Sequence, residues 1–146
     1  MTPAAKLERM LHSEIPITHA MGIRVTAYDG TSLKLAAPIA PNTNDKSTAF
    51  GGSLYSLAVL CGWGILHLKL AEAGLHKHIV IHKSSILYLQ PVDQEMQAEC
   101  ILDDASFKHL LHTLEKHDRA RLSLDVVITS DGQHAVEFSG QYVVHG

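Results

Sequence analysis

The chain has 146 residues, a formal net charge of −3 at pH 7 and a sequence pI near 6.4. A chain of this length buries a substantial core without disulfides or metal, so we expect one domain over residues 1–146. Its Lys and Arg residues are scattered rather than clustered, which argues against nucleic acid as a partner. The two cysteines, Cys61 and Cys100, lie in apolar segments and are expected to be reduced core residues of a cytoplasmic protein.

The first part of the chain predicts a helix followed by a hairpin. Residues 1–14 carry charges of both signs without a long apolar run, which predicts a short helical extension rather than a signal peptide or membrane anchor. Residues 21–28 and 31–38 alternate as strands do, and Asp29-Gly30 between them is a favoured two-residue hairpin turn. A polar loop over residues 40–48 comes next.

A long uncharged stretch follows that loop, with no Asp, Glu, Lys or Arg between Ser47 and Leu68. A helix that is apolar on all sides must be buried on all sides, and Gly74 is placed to end it. The length also suits a membrane span, but the polar first third and the strand patterns that follow favour a protein core and no membrane partner. Gly62 and Gly64 inside the helix predict a close approach of the sheet, which would justify their low helix propensity.

The second half of the chain is dominated by strand patterns, at residues 78–89, 95–102, 119–129 and 134–144. Asp103-Asp104 is expected to cap a short helix over residues 105–116. Together these elements predict an α+β fold in which an antiparallel sheet of about six strands curls around one long buried helix.

Eleven histidines raise the alternative of a metal site. His76, His78 and His82 would share a face if their segment is a strand. No cysteine or paired-histidine motif accompanies them, and scattered surface histidines explain the count more simply, so we predict no metal.

Several motifs together resemble the hotdog-fold thioesterases, over about residues 16–144. They are the polar loop with N-x-N, the helix opening T-A-F-G-G-S-L-Y-S-L, the strand ending Y-L-Q-P-V and the late R-A-R-L. Within that superfamily the chain is most similar to the thioesterase domain also found C-terminal to GNAT-type acetyltransferases. The resemblance implies a hydrolase for acyl-CoA or acyl-carrier-protein thioesters, with coenzyme A or phosphopantetheine as part of the substrate, no further cofactor, and a homodimer or homotetramer.

The sequence departs from the catalytic patterns of this superfamily at the acidic positions. One branch has H-G-G with a carboxylate seven residues after the second glycine, where this chain has Phe50 and Val59. Another has D-x-N-x-x-G-x-x-F-G-G, where Asn42 and Ser47 replace the acid and the first glycine. A non-catalytic acyl-thioester binding module is therefore the alternative to an enzyme. A dehydratase or hydratase is disfavoured because no paired histidine and carboxylate stands at the helix start.

The helix start supplies the groups expected to hold the substrate carbonyl. Backbone N–H groups around Gly51, Gly52 and Ser53 are candidate oxyanion donors, because the first turn of a helix has free N–H groups and a positive dipole end. The alternative is that the glycines only ease helix–sheet packing.

The loop before the helix supplies the candidate catalytic side chains. Asp45 is its only acid and the candidate general base, with Asn44 orienting the water or the carbonyl. Ordinary turn chemistry is the alternative for both residues. Ser56 as a nucleophile would need an adjacent base, and none is evident.

The resemblance also implies contributions from a second subunit. In hotdog dimers the strand after the helix pairs with its two-fold mate, so His82, Ser84 and Ser85 are candidates to reach the partner's helix start. An exposed edge strand would carry the same polar residues. Lys46, Arg119 and Arg121 are candidates to bind the CoA phosphate or a carrier protein, although no basic cluster marks such a site in the sequence.

Overall fold

The computed structural model describes all 146 residues. Its helices are α1 (Pro3–Glu14), α2 (Ile17–Ala20), α3 (Gly51–Glu72) and α4 (Asp104–His117). Its strands are β1 (Arg24–Tyr28), β2 (Ser32–Ala37), β3 (His78–Tyr88), β4 (Met96–Ile101), β5 (Arg119–Ser130) and β6 (Gln133–His145). A single 3-10 turn, Ala40–Asn42, lies in the loop before α3.

The strands form one antiparallel sheet in the order β1-β2-β4-β5-β6-β3. Helix α3 packs against β2, β3, β4, β5 and β6, and its Glu72 carboxylate accepts a hydrogen bond from the Tyr28 hydroxyl of β1, because the sheet curls around the helix. The predicted α+β fold, with six strands around one long helix, is confirmed.

Helix α3 is buried around most of its circumference, as its uncharged sequence predicts. It is long and apolar enough to cross a membrane by composition alone, but 67% of its most apolar window is buried inside the protein. A Cβ atom at Gly62 would lie 2.4 Å from the hydroxyl oxygen of Tyr142, and one at Gly64 would lie 2.8 Å from Leu33. The close approach expected at both glycines is therefore confirmed.

The two edges of the sheet differ in how they are covered. Helix α1, whose Leu7 and Leu11 are buried, lies along β1, and the Glu8 carboxylate accepts a hydrogen bond of 2.8 Å from the Val25 backbone N–H. No other element of the chain pairs with the outer edge of β3, where Val80 is 48% exposed. Edge strands are normally blocked or paired, so β3 is the edge available to another chain.

Two local predictions near the N-terminus were wrong. Strand β1 begins at Arg24 rather than at residue 21, because the preceding residues form α2 and Gly22 then takes a left-handed conformation with φ of 71°. The hairpin turn lies one residue later than expected, at Gly30-Thr31. The Asp29 side chain holds it there by accepting two backbone N–H groups, at 2.9 and 2.7 Å.

The remaining elements agree with the sequence to within about two residues. Asp103 caps α4 through a 2.7 Å hydrogen bond from the Ser106 N–H, and Gly74, with φ of 74°, ends the central helix. Both cysteines are free and buried. Burial raises the pKa of the Cys61 thiol and raises that of Cys100 to about 12, so both are neutral core groups rather than nucleophiles.

Candidate active site at the start of the central helix

The loop that leads into α3 is fixed by backbone hydrogen bonds on both of its sides. The Ala49 N–H donates to the Val92 carbonyl at 2.6 Å, and the Phe50 N–H donates to the Asn42 carbonyl at 2.7 Å. An isolated bridge between Thr43 and Ala49 closes the loop on itself. The first turn of the helix is therefore held in one position relative to the segment after β3.

The first helical turn leaves two backbone donors open. Phe50 is the N-cap residue, and its side chain makes no capping hydrogen bond. The N–H groups of Gly51 and Gly52 donate to no acceptor in the chain, whereas the Ser53 N–H donates to the Phe50 carbonyl at 3.0 Å. Of the three predicted donors, the structure thus leaves two adjacent ones free at the positive end of a 22-residue helix.

The two glycines have different surroundings. A Cβ atom at Gly52 would lie 2.4 Å from the ring of Phe50, which covers the main chain there and is itself 56% exposed. A Cβ atom at Gly51 would make only ordinary contacts, 3.5 Å from Tyr88. Gly52 therefore also serves the packing of Phe50, while the surroundings of Gly51 leave room beside its main chain.

Tyr88 is a residue of this site that the sequence reasoning missed. Its hydroxyl donates to the Gly51 carbonyl at 3.0 Å, and partial burial raises the pKa of this phenol, which keeps it protonated as a donor. The Gly51 carbonyl belongs to the same peptide unit as the free Gly52 N–H. The only sequence signal was the Y-L-Q-P-V motif, which marked the segment without indicating what the tyrosine contacts.

An open cavity of about 310 Å³ borders the helix start. It lies between the first turn of α3 and the segment that runs from Tyr88 to Val92, and apolar side chains line most of it. A recess of about 370 Å³ on the outer face of the sheet is larger, but it contains the paired Lys34 and Glu99 and lies away from the free N–H groups. The cavity at the helix start therefore combines an apolar surface with the free N–H group of Gly51.

Asn44 holds the loop together through its side chain. Its Nδ2 donates to the Thr48 hydroxyl at 2.9 Å, and its Oδ1 accepts from the N–H groups of Lys46 and Thr48 at 2.8 and 3.2 Å. Ser47 adopts a left-handed conformation, with φ of 62°, within the turn that these bonds close. The predicted role of Asn44 in orienting a water would require it to share groups that the loop already uses.

Asp45 lies on the same loop with its side chain in solvent. It is exposed, and its carboxylate makes no hydrogen bond or ion pair within the chain. Asp45 is not among the residues that line the cavity at the helix start.

The three residues predicted to serve a partner subunit are all exposed on β3 but do not converge. Ser84 faces α3, and its Oγ lies 2.5 Å from the Tyr55 hydroxyl of the same chain. Ser85 pairs with Ser139 and points to the opposite face of the sheet, while His82 lies in a bulge. Of the three, Ser84 is the one that makes a hydrogen bond with α3.

The histidines considered as metal ligands do not form a group. His76 precedes β3, and the bulge between Ile81 and Lys83 takes His82 out of the alternation that would have placed it on the face of His78. No set of three His, Cys, Asp or Glu side chains in the chain is arranged to hold a metal ion.

The comparisons with known proteins agree on a thioesterase family. Residues 4–146 match the family model described as "Putative thioesterase (yiiD_Cterm)". A protein of unknown function from Chlorobaculum tepidum is 34% identical, with 97% of this chain and 93% of that chain covered and a TM-score of 0.93. A "putative thioesterase" from Shewanella oneidensis is 30% identical, with 99% and 98% covered and a TM-score of 0.90.

A more distant similarity concerns the fold alone. A thioesterase from Haemophilus influenzae is 15% identical, with 99% of this chain and 90% of that chain covered and a TM-score of 0.77. The curled sheet around a long helix is the hotdog fold, as the sequence motifs predicted.

Proposed function

The chain belongs to this thioesterase family, and on that premise we propose that it hydrolyses an acyl thioester at the start of α3. The observation that carries the proposal is the pair of adjacent free N–H groups at Gly51 and Gly52, of which Gly51 lines an open, largely apolar cavity. Thioester hydrolysis requires donors at the position where the carbonyl oxygen becomes negative, and a helix N-terminus supplies both donors and a favourable dipole.

In the proposed reaction the helix start supplies the oxyanion donors and the preceding loop supplies the general base. Water attacks the thioester carbonyl carbon while the Asp45 carboxylate takes its proton, and the oxyanion is held by the Gly51 and Gly52 N–H groups. Cleavage of the carbon–sulfur bond then restores the carbonyl, and the leaving thiolate takes the proton back from Asp45. Asn44 keeps the loop that carries this acid in place.

Tyr88 is proposed as a positioning residue for the oxyanion donors. Its hydroxyl withdraws electron density from the Gly51 carbonyl, which polarises the peptide unit and makes the Gly52 N–H a stronger donor. It also ties the helix start to the edge strand of the sheet.

A homodimer built on β3, or a homotetramer containing it, is the proposed assembly. The edge of β1 is covered by α1, whereas β3 presents unpaired backbone groups together with exposed Val80 and Leu87. Pairing of two β3 strands would satisfy those groups. We propose that His82 and Ser84 then serve the partner's helix start, whereas Ser85, which we expected to join them, points to the outer face of the sheet.

The proposed substrate is a thioester of CoA or of a carrier protein, with no cofactor beyond the pantetheine that is part of that substrate. Both cysteines are free, and we place the reaction in the cytoplasm, where thiols stay reduced.

The test is release of free thiol from acyl-CoAs of different chain length, with the wild type compared with Asp45→Asn. Loss of the general base is expected to lower kcat by about a hundredfold or more, with the melting temperature unchanged. Asp131→Asn is the matched control, because Asp131 is also an exposed turn residue and is expected to retain full activity. Full activity in Asp45→Asn would refute the assignment of the base.

A non-catalytic acyl-thioester binding module is the second candidate. It is favoured by Phe50 and Val59, which occupy positions where other hotdog branches have catalytic side chains. Thermal stabilisation by acyl-CoAs without any thiol release would support this candidate over the enzyme.

A further inference from the structure

The outer face of the sheet carries a set of basic side chains in direct register. Arg119 of β5 pairs with His145 of β6, which pairs with His78 of β3, so the three side chains form one row across the strands. Two residues further along each strand, the row consists of Arg121, Val143 and Val80, and the next row consists of Ser123, Gln141 and Lys83. Directly paired residues project from the same face of a sheet, which places these nine side chains side by side.

The two arginines and the lysine of these rows have no acidic partner, and the Asp118 carboxylate lies near enough to His145 to interact with it electrostatically. Arg119, Arg121 and Lys83 take part in no ion pair, whereas neighbouring Lys77 is neutralised by Asp118 at 2.7 Å. The rings of His78 and His145 stack with their centroids 5.3 Å apart. This positive area is local, because the whole chain carries a net charge of −3.

The carboxylates of the same face lie outside these rows. Asp125 and Glu137 belong to the next two rows of the β5–β6 pair, towards the far end of the sheet. With about 4.8 Å between strands and about 7 Å between successive outward residues, the three basic rows cover an area of about 10 by 14 Å. We call this area the basic face.

We propose that the basic face binds the diphosphate and 3′-phosphate of a CoA substrate whose thioester lies in the site of the partner subunit. This inference rests on the proposed thioesterase function and on the proposed β3 dimer. The guanidinium group of arginine donates paired hydrogen bonds to phosphate oxygens, and the exposed side chain of Val80, in the same row as Arg121, offers an apolar contact for the nucleoside. The inference selects CoA over a carrier protein, because the phosphopantetheine of a carrier has a single phosphodiester.

The position of the basic face relative to the site follows from the topology. Tyr88, which contacts Gly51, is the last residue of β3, and His78 is the first. Antiparallel pairing of two β3 strands about a two-fold axis sets the last residues of one strand beside the first residues of the other. A pantetheine chain leaving one helix start therefore reaches the Arg119 row of the other subunit around the end of the sheet.

The experiment compares the same acyl group on CoA and on N-acetylcysteamine, which keeps the thioester and lacks the nucleotide. In the Arg119→Ala/Arg121→Ala double variant, the ratio of KM for acyl-CoA to KM for the short thioester is expected to rise by about tenfold or more. Lys34→Ala is the matched control, because Lys34 is a cation of the same outer face that already pairs with Glu99. It is expected to leave the ratio unchanged.

An unchanged ratio in the double variant would overturn the inference, as would an equal loss in Lys34→Ala. If the wild type hydrolyses neither thioester, the proposed function fails, and calorimetric titration with free CoA then tests the basic face by itself. A Kd for CoA that rises about tenfold in the double variant and rises steeply with salt supports the basic face. The same Kd in both proteins, or no CoA binding by the wild type, overturns it.

Discussion

Replacing Tyr88 by Phe removes one hydroxyl from the proposed site and keeps the aromatic ring in place. The lost hydrogen bond is the 3.0 Å contact with the Gly51 carbonyl. An oxyanion donor contributes about 2.7–4 kcal/mol to the transition state, and a hydrogen bond strengthens its neighbour in a chain by about 10–30%. Loss of polarisation at the Gly52 N–H therefore amounts to about 0.3–1.2 kcal/mol, which is about a two- to eightfold decrease in kcat.

The assay is steady-state hydrolysis of an N-acetylcysteamine thioester, with kcat and KM determined separately. We expect kcat to fall while KM stays the same, because the N–H groups act on the charge that develops in the transition state. Tyr28→Phe is the matched control, since it also removes a tyrosine hydroxyl that donates a hydrogen bond to α3, in this case to Glu72 and away from the site. Chemical denaturation of both variants measures the structural cost, expected at about 0.5–1.5 kcal/mol for one hydrogen bond.

A wild-type kcat in Tyr88→Phe would refute the role of this hydroxyl, even if the variant is less stable. A decrease of the same size in Tyr28→Phe would show that general loss of stability, and not the Gly51 peptide, explains the effect.

Two further predictions concern the core around α3. In Gly62→Ala the new methyl group would lie 2.4 Å from the Tyr142 hydroxyl and disturb its 2.7 Å hydrogen bond to the Val59 carbonyl. We therefore expect the free energy of unfolding, measured by urea denaturation, to fall by about 1–3 kcal/mol even though alanine has the better helix propensity. An unchanged urea midpoint would contradict this expectation. Burial lowers the pKa of His67, so the unfolded chain takes up a proton at this residue more readily than the folded protein does. The stability that the folded protein gains while His67 is neutral is therefore complete above about pH 6.5 and is lost as the pH falls below that value. Between about pH 7.5 and about pH 5 the wild type should therefore lose more unfolding free energy than His67→Gln, and equal losses would show that this histidine does not titrate as described.

Much of the fold follows from short-range sequence patterns. The uncharged stretch after Ser47 has to be buried in the protein. The later segments alternate apolar and polar residues, which predicts an antiparallel sheet whose apolar face packs against this helix. Asp103 and Gly74 mark helix ends by chemistry that depends only on neighbouring residues. The short helix α2 escaped prediction because four residues are too few to show a period.

The candidate site is only partly determined in this way. The sequence places Gly51 and Gly52 at a helix start, which gives free N–H groups by the geometry of any helix. Which donors stay free, how Asn44 uses its side chain and which face Ser84 takes depend on contacts that no local pattern encodes. Tyr88 lies 37 residues from Gly51 in the chain, and only the pairing of β3 with β6 beside α3 brings its hydroxyl to that carbonyl. Local sequence fixes which backbone groups need partners, whereas the packing of distant segments decides which partners reach them.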